Sequence, residues 1–426
     1  MREKKINISP AVNIEIMSPA GNYECLTAAF QGGANSVYFG AGKLNMRARS
    51  ANNFTIADLP EIAARCNNNN AKSYLTVNTI IFDEDIDEMH RLIDAAKNAG
   101  VSAIIASDPA TIMYASRNGV EIHLSTQVNI TNFEALRFYA QYADVAVLAR
   151  ELTLDQVAQI HRQIVETNLR GPSNELIRLE MFAHGALCMA VSGKCYLSLH
   201  EYNASANRGS CYQVCRRSYL ASDRETGREL EIDNQYIMSP KDLCTIEFMD
   251  KMTDAGVRVF KIEGRARSAE YVKTVTRCYV EAAKAIANGS YSPHKTKAWK
   301  ETLATVFNRG FWDGYYLGKR LGEWSETYGN RASKRKTCVG KVTNYFANIG
   351  VAEILTEAGD ICLNDEILII GPTTGAMELT VDEIRLEQAP VRQSVRGEYC
   401  SLPVTGKVRC GDKVYVLKSD NINGKN

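Results

Sequence analysis

From residue 14 the chain repeats one unit: a short apolar or β-branched run, a polar turn, then a stretch with helical spacing. The runs fall at residues 14–17, 36–39, 73–77, 103–106, 121–124, 145–148, 179–182 and 257–262. Helical spacing follows at residues 22–31, 56–67, 84–99, 109–117, 132–139, 153–168 and 269–287. Parallel neighbours need a crossover connection, so strands alternating with helices of this length build βαβ units and a parallel sheet. Eight units favour a closed (β/α)8, TIM-barrel-like domain over an open doubly wound sheet.

Polar side chains gather just behind these runs. Asn45 and Arg47 follow the second, Asn78 the third, Asp108 the fourth, and Ser125, Gln127 and Asn129 the fifth. Arg150 and Glu151 follow the sixth, His184 the seventh, and Glu263, Arg265 and Arg267 the eighth. In a barrel those strand ends share one face, where active sites sit.

Residues 180–217 then form an enlarged loop on that face, and they carry Cys188, Cys195, Cys211 and Cys215 among glycines and basic side chains. Disulfides, a metal or cluster site, and ordinary packing all remain open for four thiols this close. The opening residues, Met1 to Pro10, are charged and polar and lack the apolar segment of a secretory signal, so a cytoplasmic chain is expected. In a reducing compartment, clustered thiolates more often hold metal than pair. Gaps of six, fifteen and three residues do not match paired zinc knuckles, whereas iron–sulfur clusters accept irregular spacing. Structural zinc and unrelated buried cysteines stay as alternatives, and Cys244 is a fifth possible ligand. Gly185, Gly193 and Gly209 would let the backbone curl around such a group.

Beyond the barrel the pattern changes. Domain 1–290 is followed by a polar, aromatic-rich connector at 291–335, whose basic run 331–336 reads as a boundary. Residues 336–418 read as short strands separated by turns, a small β-barrel, and 419–426 as a tail. A net charge of +1 gives no global field for nucleic acid, so any such role needs local basic patches. Arg47, Arg49, Arg150, Arg208, Arg216, Arg217, Arg265 and Arg267 supply them around the predicted mouth, where they could hold phosphates or carboxylates. Glu180, His184 and Glu263 are the candidate acid–base groups, although His184 and His123 read first as structural histidines. The zinc-protease helix, the nucleophile elbow and the phosphate loop are all absent from the sequence. No apolar run approaches membrane-spanning length, so no membrane is expected.

The cysteine stretch resembles the peptidase U32 family. Its signature is filled by Glu180, Phe182, Gly185, Ala186, Leu187, Cys188, Gly193, Cys195, Leu197 and Ser198. The resemblance extends to Met17-Ser18-Pro19-Ala20-Gly21-Asn22, Val37-Tyr38-Phe39-Gly40, Ser239-Pro240-Lys241-Asp242-Leu243-Cys244 and Lys261-Ile262-Glu263-Gly264-Arg265. The family is named for collagenase-like peptidases. Its better understood branches serve hydroxylation without molecular oxygen, using a 4Fe–4S cluster on four cysteines; they include tRNA and rRNA hydroxylases and ubiquinone-biosynthesis proteins. The chain looks most like the branch that makes 5-hydroxyuridine at the tRNA wobble position and depends on prephenate. The resemblance therefore implies tRNA and prephenate as partners and Cys188, Cys195, Cys211 and Cys215 as ligands, with Cys244 as the alternative. A collagenase-like peptidase and a non-catalytic RNA-binding or assembly factor are the rival expectations.

Overall fold

The computed structural model describes residues 13–49, 52–217, 219, 221–222, 224–226, 229–230, 238–318, 323–325 and 329–419. Met1 to Pro10 and residues 420–426 lie outside them.

Eight parallel strands form a barrel: β1 (Glu15–Pro19), β2 (Ser36–Phe39), β3 (Lys72–Val77), β4 (Ala103–Ala106), β5 (Ile122–Leu124), β6 (Val145–Val147), β7 (Arg178–Gly185) and β8 (Val257–Ile262). Each pairs with the next, and β8 also pairs with β1, so the ring closes without an edge. Alternation along the strands sends Met17, Tyr38, Tyr74, Ala103, Ile105, Val145 and Val259 into the barrel's interior. The opposite faces join the surrounding helices in one large core. Helix starts are set by side-chain caps: Asn22, Asp108 and Asn132 accept from backbone N–H groups of the first turn, each at 2.9 Å.

The connection from β7 to β8 departs from a plain helix. After the cysteine-rich segment the chain adds a short strand, Asp242–Cys244, antiparallel to β7, and only then the helix Met249–Asp254 that leads into β8. The 291–335 stretch is not a plain connector either. It holds a helix, Pro293–Ala304, and a strand, Phe311–Trp312, that pairs with Asp242–Cys244.

The C-terminal part is an eight-stranded antiparallel sheet with Lys334–Phe346 near its centre, paired to Val351–Thr356 and Lys413–Ser419. The basic run at 331–336 therefore ends inside its first strand. Val339, Ile354, Ile367, Cys400 and Val414 from five strands converge, so the sheet rolls about one core. It docks on the barrel's outer helices: Thr27 donates to the Pro372 carbonyl at 2.7 Å and Lys273 to that of Ala376 at 2.7 Å. Leu368 and Ala376 complete the contact by joining the barrel's own core. Among the described residues no helix is long and apolar enough to cross a membrane.

Candidate functional site

At the C-terminal ends of the strands lies a cavity of about 210 Å³. Its walls come from the turns after β2, β3, β5, β6 and β8 and from the cysteine-rich segment. Cys188, Cys195, Cys211 and Cys215 all line it. Two glycines with positive φ clamp the segment in place. Gly185 has φ +106°, and a Cβ there would stand 2.5 Å from the Glu263 carbonyl oxygen. Gly209 has φ +81°, a Cβ would stand 2.3 Å from the Asn45 carbonyl oxygen, and its own carbonyl accepts from Arg49 N at 3.3 Å. Only a residue without a side chain passes either point.

Burial pushes the Cys215 thiol up to about 11 against the pull of Arg216, and the thiols of Cys188, Cys211 and Cys195 add to the rise. Among the described residues no three Cys, His, Asp or Glu side chains converge on a point fit for a single metal ion. Cys244 is elsewhere: buried in the core, absent from the cavity wall, its thiol raised to about 11 by burial.

The rest of the wall is cationic. Arg47 donates to one Glu263 oxygen from Nη2 at 2.5 Å and from Nε at 3.2 Å. Burial alone would raise the Glu263 carboxyl, yet Arg47, with Arg150 and Arg265, holds it at about 2. Arg265 is buried and donates to Thr76 Oγ1 at 3.0 Å, burial bringing it down to about 10. Arg216, likewise lowered to about 10 by burial and then by Arg309, donates to the Leu187 and Pro240 carbonyls. Arg150 lies 3.8 Å over the Phe182 ring, and its buried Nε has no hydrogen-bond partner among the described residues. Arg267 stacks 3.6 Å over Phe307. Asn78, Ser125 and Gln127 form a hydrogen-bonded polar patch on the same wall.

Other expected residues lie apart from the cavity. His184 is buried outside the barrel, near Tyr271, Tyr279 and Phe311, with its basicity lowered to about 3 by burial and then by Arg267. Register explains this. Phe182 pairs with Lys261 but His184 with Ile262, so a bulge at Ala183 turns the next side chain outward. Glu180 is not at a strand end, because β7 runs on to Gly185. It lies deeper in the barrel, where Lys261 Nζ donates to it at 2.8 Å. Arg49, Arg208 and Arg217 belong to the outer rim: Arg49 stacks on Tyr212, Arg208 bonds Asp85 at 2.6 Å, and Arg217 bonds Glu201 at 3.0 Å. Three wall residues were missed from sequence: Lys261, Tyr38 and Arg309. For Lys261 and Tyr38 the signal existed, since both face inward on barrel strands. Arg309 came from the stretch read as a connector.

Barrel and wall together define a (β/α)8 protein with a thiol-lined, cationic cavity at its mouth. The chain belongs to peptidase family U32, whose model matches residues 21–326. It is 61% identical over 403 residues to a protein of Porphyromonas gingivalis named collagenase, covering 95% of this chain and 97% of that one. It is 32% identical over 378 residues to a tRNA hydroxylation protein of Bacillus subtilis, covering 87% and 86%. A 23S rRNA 5-hydroxycytidine synthase of Escherichia coli is 33% identical over 317 residues, which are 73% of this chain and 46% of that one.

Proposed function

We propose that this chain is a tRNA-modifying hydroxylase that forms 5-hydroxyuridine at the wobble position, without molecular oxygen and with prephenate as co-substrate or precursor. One observation carries the reading. Among the described residues the cavity wall holds four cysteines and seven cationic side chains, but no histidine and a single carboxylate, Glu263, already held by Arg47.

That donor set suits a 4Fe–4S cluster on Cys188, Cys195, Cys211 and Cys215. Four thiols lining one cavity match the all-thiolate ligation of an iron–sulfur cluster. Bound there, the cluster would supply electron-transfer chemistry. The chain's own residues do the rest. Arg47, Arg216, Arg265 and Arg267 offset the negative charge of the thiolates. Arg150, with a free Nε, and Lys261 offer donors to the carboxylates of prephenate or to a phosphate. Asn78, Ser125 and Gln127 offer the mixed donors and acceptors that read a base edge, and an unpaired base must leave its stack to reach them.

The collagenase name of one relative favours proteolysis. A protease needs a nucleophile paired with a base, or an activated water. Among the described residues the wall has thiols, Ser125 and Ser192 but no histidine beside them. A non-catalytic RNA-binding factor predicts binding with no change in the base.

The test is nucleoside mass spectrometry of tRNA from a strain lacking this gene and any paralogue. Loss of 5-hydroxyuridine, restored by the wild-type gene, is expected. Unchanged 5-hydroxyuridine, or cleavage of gelatin by purified protein stripped of iron, contradicts the reading.

A further inference from the structure

The rim around the cavity carries aromatic rings that packing does not account for. Tyr196, next to Cys195, is 77% exposed. Phe82, in the loop after β3, is 50% exposed, with the Arg208 guanidinium 3.8 Å over one face. Single exposed apolar residues are ordinary on any surface. Here Met189 at 43% and Val191 at 39% border the same opening.

The cysteine segment also carries a stacked pair. Tyr202 and Tyr212 stack with centroids 4.6 Å apart and planes at 26°. Arg49 lies 4.1 Å from the Tyr212 ring centre, and Arg217 lies 5.2 Å from that of Tyr202 and donates to its hydroxyl. The pieces belong to one rim: Arg49 N donates to the Gly209 carbonyl, and Ile80 N donates to that of Asn207 at 3.1 Å. The segment from Ala186 to Arg217 holds Lys194, Arg208, Arg216 and Arg217 against one carboxylate, Glu201, in a chain whose net charge is only +1. Positive charge is therefore in excess on the cysteine segment that carries Tyr196, Tyr202 and Tyr212, whereas beside Phe82 Arg208 is balanced by Glu84 and Asp85.

We infer that this rim is a docking surface for a single-stranded RNA loop, the inference resting on the RNA reading of the cavity. Nucleotides flanking the target stack on the open faces of Tyr196 and Phe82, while Arg49, Arg208 and Arg217 meet the phosphates. Aromatic faces interleaved with guanidinium planes hold single strands without reading sequence, because every base has a face to stack. A duplex offers no such faces, so the surface discriminates loop from helix.

The test measures binding of the full chain to an RNA stem–loop and to a blunt duplex of equal length, across a salt series. The stem–loop binds more tightly. Tyr196→Ala weakens it about tenfold, Tyr196→Phe stays within about twofold because the ring remains, and Phe138→Ala is unchanged. Phe138 is also exposed, at 59%, but lies on the outer helix Phe133–Tyr139. Equal affinity for loop and duplex, or wild-type affinity in Tyr196→Ala, overturns the inference. So does a Tyr196→Ala loss confined to gelatin binding, which would make the rim a protein-docking face. Loop binding that depends on Tyr196 in a protein without effect on 5-hydroxyuridine keeps the surface and removes the reaction. Hydroxylation with wild-type binding by Tyr196→Ala does the reverse.

Discussion

Arg47 and Glu263 meet across the barrel mouth, one from the turn after β2 and the other directly after β8, with two guanidinium nitrogens on one carboxylate oxygen. The pair joins the first and last parts of the barrel, and it has a pH signature. Glu263 falls from its ordinary 4.5 to about 2 because Arg47 outweighs the cost of burial. A carboxylate depressed in the fold stabilises above its unfolded value and loses that contribution as pH falls. Stability should therefore decline from pH 4.5 towards 2 by about 3 kcal/mol from this group alone. Urea midpoints against pH check it: Glu263→Gln flattens the slope, and an unchanged slope between pH 5 and 3 contradicts the assignment.

Lys261 and Glu180 form a second buried pair below the cavity, at 2.8 Å. The other Glu180 oxygen lies 3.9 Å from His123 Nδ1, and neither atom has a hydrogen-bond partner among the described residues. Removing one charge leaves the other stranded. Lys261→Met should cost about 3–5 kcal/mol, and Lys261→Met with Glu180→Leu distinctly less. A double mutant as unstable as the sum of both single changes would contradict this coupling.

Gly209 tests the clamp on the cysteine segment. A methyl group there meets the Asn45 carbonyl at 2.3 Å in a backbone conformation that disfavours side chains. Gly209→Ala should lose about 1–3 kcal/mol and release the segment to protease sooner than the barrel. Wild-type proteolysis kinetics would show that the segment does not depend on this approach.

Much of this was legible in the sequence. The eight β/α units, three strands to the residue, the Asn22 cap and the cysteine loop at the C-terminal ends of the strands all follow from periodicity and local chemistry. Two kinds of feature did not. Register is not local: the bulge at Ala183 that turns His184 outward depends on pairing between β7 and β8, far apart in sequence. Short strands also escape a pattern search. Asp242–Cys244 and Phe311–Trp312 are too brief to show alternation, and they exist because each pairs with a neighbour. That pairing buries Cys244 away from the cavity and carries Arg309 into the wall, so the different places of Cys215 and Cys244 were visible only in three dimensions.

Those two cysteines also separate cluster binding from mere burial. Cys244→Ser should keep the iron and the brown absorbance of purified protein, at a cost of about 1 kcal/mol in stability. Cys215→Ala should lose both. Iron retained by Cys215→Ala but lost from Cys244→Ser would exchange the two roles.

The measurement that reaches furthest is 5-hydroxyuridine in tRNA from the deletion strain carrying either Cys195→Ala or Cys244→Ser, each expressed at wild-type level. Cys244→Ser restores the nucleoside and Cys195→Ala leaves it absent. Full restoration by Cys195→Ala would contradict a cluster held by the four cavity cysteines as the source of the chemistry.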